Sequence, residues 1–461
     1  MAPSVGGMTN TAIITDTPLA PRTGRTAGRE RATEQTSLIT RPLLLRFVSI
    51  IGASSSFYLP LSVVPLYARS AGSDADAGLA TGALLLATVA VELFTPRLVA
   101  RTGYRIAMSL GLLCLGLPAL ALLAPPNLAV IVAVSVVRGA GFAVVTVAGG
   151  ALTASLIPPQ RRGEGLALTG VVSGVPALAC LPLGVWVSAR WGFAPVFVAT
   201  AAAALLALTV VPGLPDSKAP RRKPATGKPA TGKPATGKPA TGKPATGKPA
   251  TCEAATCEAA TGEAAHGILR ALASPSLTRP AALFSASTMA AGVLVTFLPL
   301  AIAQRSAGVV TIALFAQPAA ATLARLAAGR LGDRRGHTRL LYPGIGLAAA
   351  GMAAIAATGA PALVIGGAAV FGAGFGLLQN ATLSLMYART SHDGYDAISA
   401  VWNAAYDAGM GAGAIGMGLV TGHLGYPATF LLTAALVLVA LIPARRDRRS
   451  ASPRQRSGSP R

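Results

Sequence analysis

Long apolar runs separated by short polar turns fill the chain from residue 43 to residue 443. An apolar run of about 20 residues crosses the hydrocarbon core of a bilayer as a helix. We therefore predict an all-α membrane protein with twelve spans in two groups of six. The predicted spans are 43–68, 78–95, 106–124, 128–156, 165–188 and 194–214 in the first half, and 281–303, 309–328, 340–358, 362–388, 397–421 and 428–443 in the second.

The polar segments divide the chain further. Residues 1–42 show no apolar periodicity and predict a disordered cytoplasmic tail. The predicted six-helix bundles occupy 43–214 and 267–444, and a basic cytoplasmic tail follows at 445–461. Between the bundles, the linker 215–266 repeats Lys-Pro-Ala-Thr-Gly with a proline in every unit of five, which forbids a helix. The linker is either a plain spacer or a tether for lipid or a partner.

Composition supports a membrane protein over a soluble one. Hydrophobic residues make up 52% of the chain and charged residues 12%, about half the charged fraction of a soluble protein. The formal net charge of +23 would indicate nucleic acid in a soluble chain, but no aromatic residues accompany the basic ones, so no nucleic-acid partner is expected. The four cysteines lack zinc or disulfide spacing, and no cofactor or metal is predicted.

The arginines of the short loops alternate between the two membrane sides. Lysine and arginine are retained on the cytoplasmic side, so this asymmetry predicts a plasma-membrane protein with both termini inside and contacts to anionic lipid headgroups. The proposed cytoplasmic loops carry Arg97, Arg101, Arg105, Arg161, Arg162, the cluster in Gly329–Arg339 and Arg389, whereas the external loops carry Arg69, Arg190 and Arg305.

Short motifs recur in the same order in both halves. Gly139-Ala140-Gly141-Phe142 returns 233 residues later as Gly372-Ala373-Gly374-Phe375, and the loop 96–105 returns at the same offset from Gly329. Two further pairs, beginning at Tyr58 and Phe297 and at Arg69 and Arg305, have offsets of 239 and 236. The shared order predicts two homologous halves in the same orientation, each with an even number of spans.

The loop Gly329-x-Leu331-Gly332-Asp333-Arg334-x-Gly336 resembles the signature loop of the major facilitator superfamily, which lies between spans two and three and often again between eight and nine. In the first half Pro96 replaces its leading glycine and Ala100 its aspartate. The resemblance implies two bundles around a midplane cavity that rock to expose it to either side. It also implies a gating role for Gly329, Asp333, Arg334 and Gly336, and for Arg101 and Gly103 in the first half.

Two carboxyl groups fall inside the predicted spans. A carboxylate in hydrocarbon costs several kcal/mol, so it faces a cavity or a partner. Asp407, near the middle of span 11, lies in a segment that resembles the span-11 motif of bacterial drug and sugar efflux permeases. It is either a proton-coupling or substrate-orienting group, or a packing residue hydrogen-bonded beside Asn403. Glu92, near the inner end of span 2, is either a salt-bridge partner of a nearby arginine or a proton carrier.

Arg138, near the middle of span 4, resembles a buried arginine that the family uses in proton-linked transport. An arginine at that depth needs an anionic or carbonyl partner, and a static ion pair is the alternative. Arg46 and Arg325 are closer to the inner face, where long side chains reach the interface.

Span 5 partly resembles the Gly/Pro-rich antiporter motif of the family but lacks its compact Gly-Pro step. The run Gly409–Gly418 of span 11 predicts a packing surface between helices, with a gating role as the alternative.

Several polar and aromatic residues of the spans are candidates for the cavity wall, with ordinary packing as the alternative. The buried amides are the strongest of these candidates because they require partners. These residues are Phe57, Tyr58, Gln379, Asn380, Trp402 and Tyr406.

Together these features predict a monomeric secondary transporter that exports a small molecule in exchange for protons, without ATP, since no phosphate-cradling Gly-x-x-x-x-Gly-Lys-Ser/Thr pattern is present. Uptake or facilitated diffusion is the alternative within transport. A polytopic membrane enzyme or a scaffold is the alternative outside it, but the histidines His266, His337, His392 and His423 are scattered over separate loops.

Overall fold

The computed structural model describes residues 40–158, 161–216, 274–390 and 395–451. Residues 1–39 of the first predicted tail, residues 452–461 of the second, the repeat of the linker and the loop with His392 lie outside these ranges. The start of the second tail is helical, as part of Leu441–Ala451. Within them the chain is helical, with α-helices and short 3-10 segments.

Six spans form the first half. Span 4 has the predicted bounds, and most of the others extend a few residues beyond them. The helices are Arg41–Tyr58 and Val63–Ala71 (span 1), Asp74–Glu92 (span 2), Thr95–Gly116 continued by the 3-10 segment Leu117–Leu123 (span 3), Leu128–Leu156 (span 4), Arg162–Trp191 (span 5) and Phe193–Thr209 followed by the 3-10 segment Val211–Gly213 (span 6).

The second half contains two long helices that each hold two spans. Pro275–Arg335 breaks at Ser306 (φ −160°, ψ 92°), which divides it into span 7, Pro275–Ile302, and span 8, Ser306–Gly332. Tyr395–Val439 breaks at Gly425 (φ 76°, ψ 166°). The remaining helices are His337–Ile355 (span 9), Pro361–Ala388 (span 10) and the terminal Leu441–Ala451.

The break at Gly425 reverses the chain and separates span 11 from span 12. By length and apolarity the described residues hold 11 candidate spans, of which the last, Ile398–Arg446, has 49 residues. As one straight helix it would be about 75 Å long, more than twice the hydrocarbon thickness. Thr429 Oγ1 instead donates to Thr421 Oγ1 at 3.2 Å, so residues eight positions apart touch across the bend. The segment therefore crosses twice, and the predicted twelve-span fold is confirmed.

Four glycines with positive φ mark the duplication. Gly103 (φ 83°) and Gly336 (φ 84°) turn the chain between spans 2 and 3 and between spans 8 and 9. Gly192 (φ 81°) and Gly425 (φ 76°) do the same between spans 5 and 6 and between spans 11 and 12. Each pair is separated by the 233 residues of the repeat, so the two halves share their turns as well as their motifs.

Close helix contacts repeat at the same offset. A Cβ at Gly139 of span 4 would overlap the carbonyl oxygen of Leu84 in span 2, and one at Gly372 of span 10 would overlap that of Gln317 in span 8. All of these positions correspond through the 233-residue repeat. The predicted pair of parallel-related six-helix bundles is thus present in the packing, where glycine allows two backbones to touch.

Span 1 differs from its prediction as one continuous helix. Its first helix ends at Tyr58 and the second begins at Val63, because Pro60 has no N–H with which to continue the hydrogen-bond ladder. The break therefore covers residues 59–62, between the two helices.

Candidate functional site

The two halves are joined on one side of the membrane. We call the side that holds Thr40 and the end of span 12 the terminal face, and the other side the opposite face. Near the opposite face Tyr426 donates to Asp74 at 2.8 Å and Ser62 Oγ donates to the carbonyl oxygen of Val295 at 3.0 Å. Both bonds run between halves, so the protein is closed on that side.

The glycine-rich run of span 11 forms the seam between the halves. A Cβ at Gly78 of span 2 would overlap the carbonyl oxygen of Ala414, and one at Gly292 of span 7 would overlap that of Met410. A Cβ at Gly413 would meet Met289 of span 7 in the same way. Span 11 therefore lies in backbone contact with both halves, and the run Gly409–Gly418 is a packing surface.

Asp407 lies where this seam ends, on the side toward the terminal face. Its side chain is 7% exposed and accepts no hydrogen bond from the residues that the structure describes. No hydrogen bond to the neighbouring Asn403 is formed in the part of the chain that the structure describes. Glu92 of span 2 and Tyr58 of span 1 lie within electrostatic reach of Asp407, so this carboxyl group faces the first half rather than lipid.

Glu92 is the last residue of its helix and is half-buried. The predicted salt bridge to an arginine is not formed within the described part of the chain, where Glu92 interacts with Asp407 instead. The two membrane carboxyl groups, which lie more than 300 positions apart in the sequence, are thus within electrostatic reach of each other.

Exposed polar side chains lie near Asp407 on the side of the terminal face. Asn403, one helical turn before Asp407 and on the same side of span 11, is exposed. Arg325 of span 8 is also exposed; it donates to Gln379 of span 10 at 3.4 Å and lies within electrostatic reach of Tyr58. We call the region between the halves that these polar groups and the carboxyl group of Asp407 border the cleft.

Aromatic side chains of the second half pack together next to Asp407. Trp402 stacks on Phe284 of span 7 with ring centroids 4.4 Å apart, and its Nε1 donates to Thr382 at 3.4 Å. Tyr406 lies 6.0 Å from Phe284 and 6.3 Å from Phe375. Trp402 and Tyr406 are half-buried, whereas Phe284 and Phe375 are buried behind them. Neither phenylalanine could be predicted, since a phenylalanine in an apolar span carries no signal that separates a packing position from a lipid-facing one.

The predicted amides occupy different places. Gln379 joins the cleft through Arg325, as above. Asn380 points toward Gly329 of the signature loop, with Nδ2 3.9 Å from the position of a Cβ there. Its Oδ1 is buried and has no partner among the described residues, so Asn380 belongs to the contact between spans 8 and 10.

Arg138 lies inside the first half, away from the carboxyl groups. The guanidinium donates through Nη2 to the carbonyl oxygen of Ser56 at 2.6 Å and through Nε to that of Leu115 at 3.0 Å, and the residue is 1% exposed. The sequence predicted either an anionic or a carbonyl partner for this arginine. In the described residues Arg138 bonds to carbonyl oxygens and forms no ion pair.

Arg46 differs from its prediction as a side chain that reaches the interface. It is 4% exposed and donates to the carbonyl oxygen of Gly149 at 3.2 Å, to Thr153 at 3.1 Å and to Ser49 at 3.2 Å. Span 4 provides two acceptors, and the missing Cβ of Gly149 provides the room, so Arg46 ties span 1 to span 4.

The signature loops lie on the terminal face. Gly103 and Gly336 turn both loops, while Arg101 and Arg334 are exposed. The side chain of Asp333 lies outside the described residues.

The first-half loop lacks an aspartate of its own, but the carboxylate of Asp216, which follows span 6, lies 2.9 Å from the Cβ position of Gly103. Arg105 donates to the carbonyl oxygen of Leu214 at 2.6 Å, and this bond holds the segment there.

This geometry defines a class: a polytopic membrane carrier with a polar cleft between two related helical bundles. Among the described residues no three His, Cys, Asp or Glu side chains come together as metal ligands would, and Cys114 and Cys180 are free.

Comparison with known proteins names the family. The model of the Major Facilitator Superfamily matches residues 46–392 and 281–460, and the chain belongs to this superfamily of transporters. No curated protein sequence matches the chain.

Solved transporters share the fold. The nucleoside transporter NupG is 12% identical with a TM-score of 0.66, covering 88% of this chain and 99% of that one. A bacterial homologue of the human lysosomal transporter Spinster is 14% identical (TM-score 0.63; 88% and 95% covered), and a variant of the peptide transporter POT is 16% identical (TM-score 0.65; 88% and 94%). The protein is thus a multi-pass membrane transporter and not an enzyme.

Proposed function

We propose that this protein exports a small molecule by alternating access, driven by proton entry. The observation that carries the proposal is the position of Asp407, a buried carboxyl group without a hydrogen-bond partner among the described residues, at the end of the cleft between the halves. A group in that place senses which face is open, because the rocking of the two halves changes its access to water.

Asp407 and Glu92 act as a pair in this scheme. Two carboxyl groups that share a low-dielectric site repel one another when both are charged, so a proton bound by either relieves the repulsion. Proton binding and release at the pair therefore alters the electrostatic repulsion between span 2 and span 11, which are in contact at the seam. Substrate binds on the aromatic side chains of Trp402 and Tyr406, either in competition with this proton or after the proton has bound.

The cleft favours a neutral or lipophilic compound with a planar part. Its wall is aromatic, and its described charges are two carboxyl groups and Arg325. Concave sites of this kind use apolar surface for affinity and a few polar groups for orientation. Uptake by the same route is the alternative, because direction depends on the gradients and not on the site.

The arginine-rich terminal face supports a cytoplasmic location for both termini in the plasma membrane. In that orientation the exposed polar groups beside Asp407 face the cytoplasm, from which an exporter takes its substrate.

The test is transport into inverted membrane vesicles with an imposed pH gradient. The panel includes nucleosides and short peptides, which the structural neighbours carry, and lipophilic aromatic amines. We expect gradient-dependent accumulation of at least one class, lost on collapse of the gradient with a protonophore. Accumulation that ignores the gradient contradicts proton coupling, and accumulation only with the reverse gradient identifies uptake.

A further inference from the structure

The break in span 1 leaves one buried carbonyl group without a backbone donor. In an α-helix the carbonyl oxygen of Ser56 accepts from the N–H four residues later, but that residue is Pro60, which has none. The N–H groups of Leu59 and Leu61 bond to other carbonyl oxygens, at 3.0 and 3.2 Å. A buried carbonyl group needs a partner from elsewhere.

Arg138 supplies this partner and a second one. Its Nη2 donates to the carbonyl oxygen of Ser56 at 2.6 Å and its Nε to that of Leu115 at 3.0 Å. Leu115 lies where the α-helix of span 3 becomes a 3-10 helix, in which its carbonyl group would accept from residue 118. Residue 118 is also a proline. One guanidinium therefore serves two carbonyl groups that prolines have freed.

In the second half a carbonyl group freed by a proline also accepts a hydrogen bond from a side chain, in this case from a hydroxyl group. Pro299 corresponds to Pro60 in the repeat and frees the carbonyl oxygen of Val295 in span 7. The hydroxyl group of Ser62 donates to that oxygen at 3.0 Å, from the other half of the protein. The position equivalent to Arg138 is Phe371. Side-chain donors thus occupy the carbonyl groups freed by Pro60 and by Pro299, and of these two only the first is served by a cation.

We propose that Arg138 is a positioning residue that holds the break of span 1 by its bonds to the carbonyl groups freed by Pro60 and Pro118. Tyr58 follows the bonded carbonyl group by two residues and lies within electrostatic reach of Asp407. By fixing the break, Arg138 fixes the point at which span 1 reaches the cleft. This last step rests on the proposed function of the Asp407 site, whereas the capping of the two carbonyl groups does not.

A cation suits this position because hydrogen bonds from an ionised donor are about twice as strong as neutral ones. The planar guanidinium also spans two acceptors on different helices, which an ammonium group does less well. The bonds observed make Arg138 a joint between spans 1, 3 and 4.

The test is a double-mutant cycle between Arg138 and Pro60 in the full-length protein purified in detergent. Pro60→Ala restores a backbone N–H for the carbonyl group of Ser56. We expect Arg138→Met alone to lower the midpoint of thermal unfolding by about 5 °C or more. In the Pro60→Ala background the loss should be at least halved, because the backbone then replaces one of the two bonds.

Arg46→Met is the matched control. Arg46 is also a buried arginine that ties span 1 to span 4, but its acceptors Gly149, Thr153 and Ser49 owe nothing to Pro60. Its loss should destabilise the protein equally with and without Pro60→Ala. If Arg138→Met prevents purification, Arg138→Lys, which keeps the charge with fewer donors, takes its place in the cycle.

Labelling by N-ethylmaleimide separates positioning from simple stabilisation. In a cysteine-free background with Tyr58→Cys, Arg138→Met should raise the labelling rate at position 58 about threefold or more, Pro60→Ala should reverse the rise, and Arg46→Met should leave the rate unchanged. Additive losses of stability in the cycle, or a labelling rate that does not respond to Arg138→Met, overturn the proposal. Neither readout needs transport, so a failed transport assay leaves this test intact.

Discussion

Tyr426, the first residue after the bend into span 12, donates its hydroxyl hydrogen to Asp74 at the start of span 2 over 2.8 Å. Asp74 is also paired with Arg69 at 2.6 Å. The capping box of Ser73 and Asp76 fixes the start of the same helix. This contact joins the halves at the opposite face, where the protein must separate if the cleft is to open there.

Loss of the Tyr426 hydroxyl group should favour opening at the opposite face. Tyr426→Phe removes one hydrogen bond of about 1 kcal/mol, which changes the ratio of open to closed forms roughly fivefold. The measurement is the distance between spin labels at Pro126 and Gly359, exposed positions of the two halves on that face. In the variant, a larger fraction of the molecules should show the longer distance between the two labels.

Tyr67→Phe is the control for this experiment. The Tyr67 hydroxyl group donates to the carbonyl oxygen of Ala124, and both residues belong to the first half. Its removal should leave the distance distribution unchanged. An equal shift in both variants would show that the Tyr426 bond does not hold the halves together.

The spans and the duplication could be read from the sequence because both depend on patterns longer than one residue. An apolar run reveals its length directly, and span 4 was predicted to the residue as Leu128–Leu156. The equivalence of Gly192 and Gly425 was not seen, since a single glycine match carries no weight in a chain with 52 glycines. A positive φ, which they share with Gly103 and Gly336, distinguishes these two from the other glycines that the structure describes.

The site could be predicted in its residues but not in its pairings. Asp407 and Glu92 stood out because carboxyl groups are rare in apolar spans, yet their proximity depends on how span 2 packs on span 11. The need of Arg138 for a partner followed from its depth, but the prolines that create its acceptors lie in two other spans. The carboxylate of Asp216 lies beside Gly103 of the first signature loop, a proximity that no motif predicts.

Replacement of Asp407 should separate transport from stability. Asp407→Asn removes a buried carboxyl group that accepts no hydrogen bond among the described residues, so the midpoint of thermal unfolding should stay equal or rise. Gradient-driven accumulation should fall by about 5- to 150-fold, the range of a coupling free energy of about 1–3 kcal/mol. Asp76→Asn, at the exposed capping box, is the control and should retain transport. Full transport by Asp407→Asn would remove this residue from the mechanism.

The bend at Gly425 should depend on glycine. Its angles (φ 76°, ψ 166°) lie in a region essentially confined to that residue. Gly425→Ala should cost about 1–3 kcal/mol of stability from backbone strain alone. Gly422→Ala is a close control, because neither glycine has an atom within 4 Å of its Cβ position and Gly422 has no positive φ. Equal melting temperatures for the two variants would contradict a strained bend.

The repeat predicts equal penalties at equivalent helix contacts. A Cβ at Gly139 or at Gly372 would overlap a backbone carbonyl oxygen of the facing span, and backbone cannot move aside as a side chain can. Each alanine variant should therefore lose about 1–3 kcal/mol of stability, as overpacked sites do. Gly150→Ala in span 4 has open space around its Cβ position and should lose nothing. Both glycines make the same contact between corresponding spans. A large loss of stability for Gly139→Ala with none for Gly372→Ala would therefore show that the two halves share the sequence pattern but not its contribution to stability.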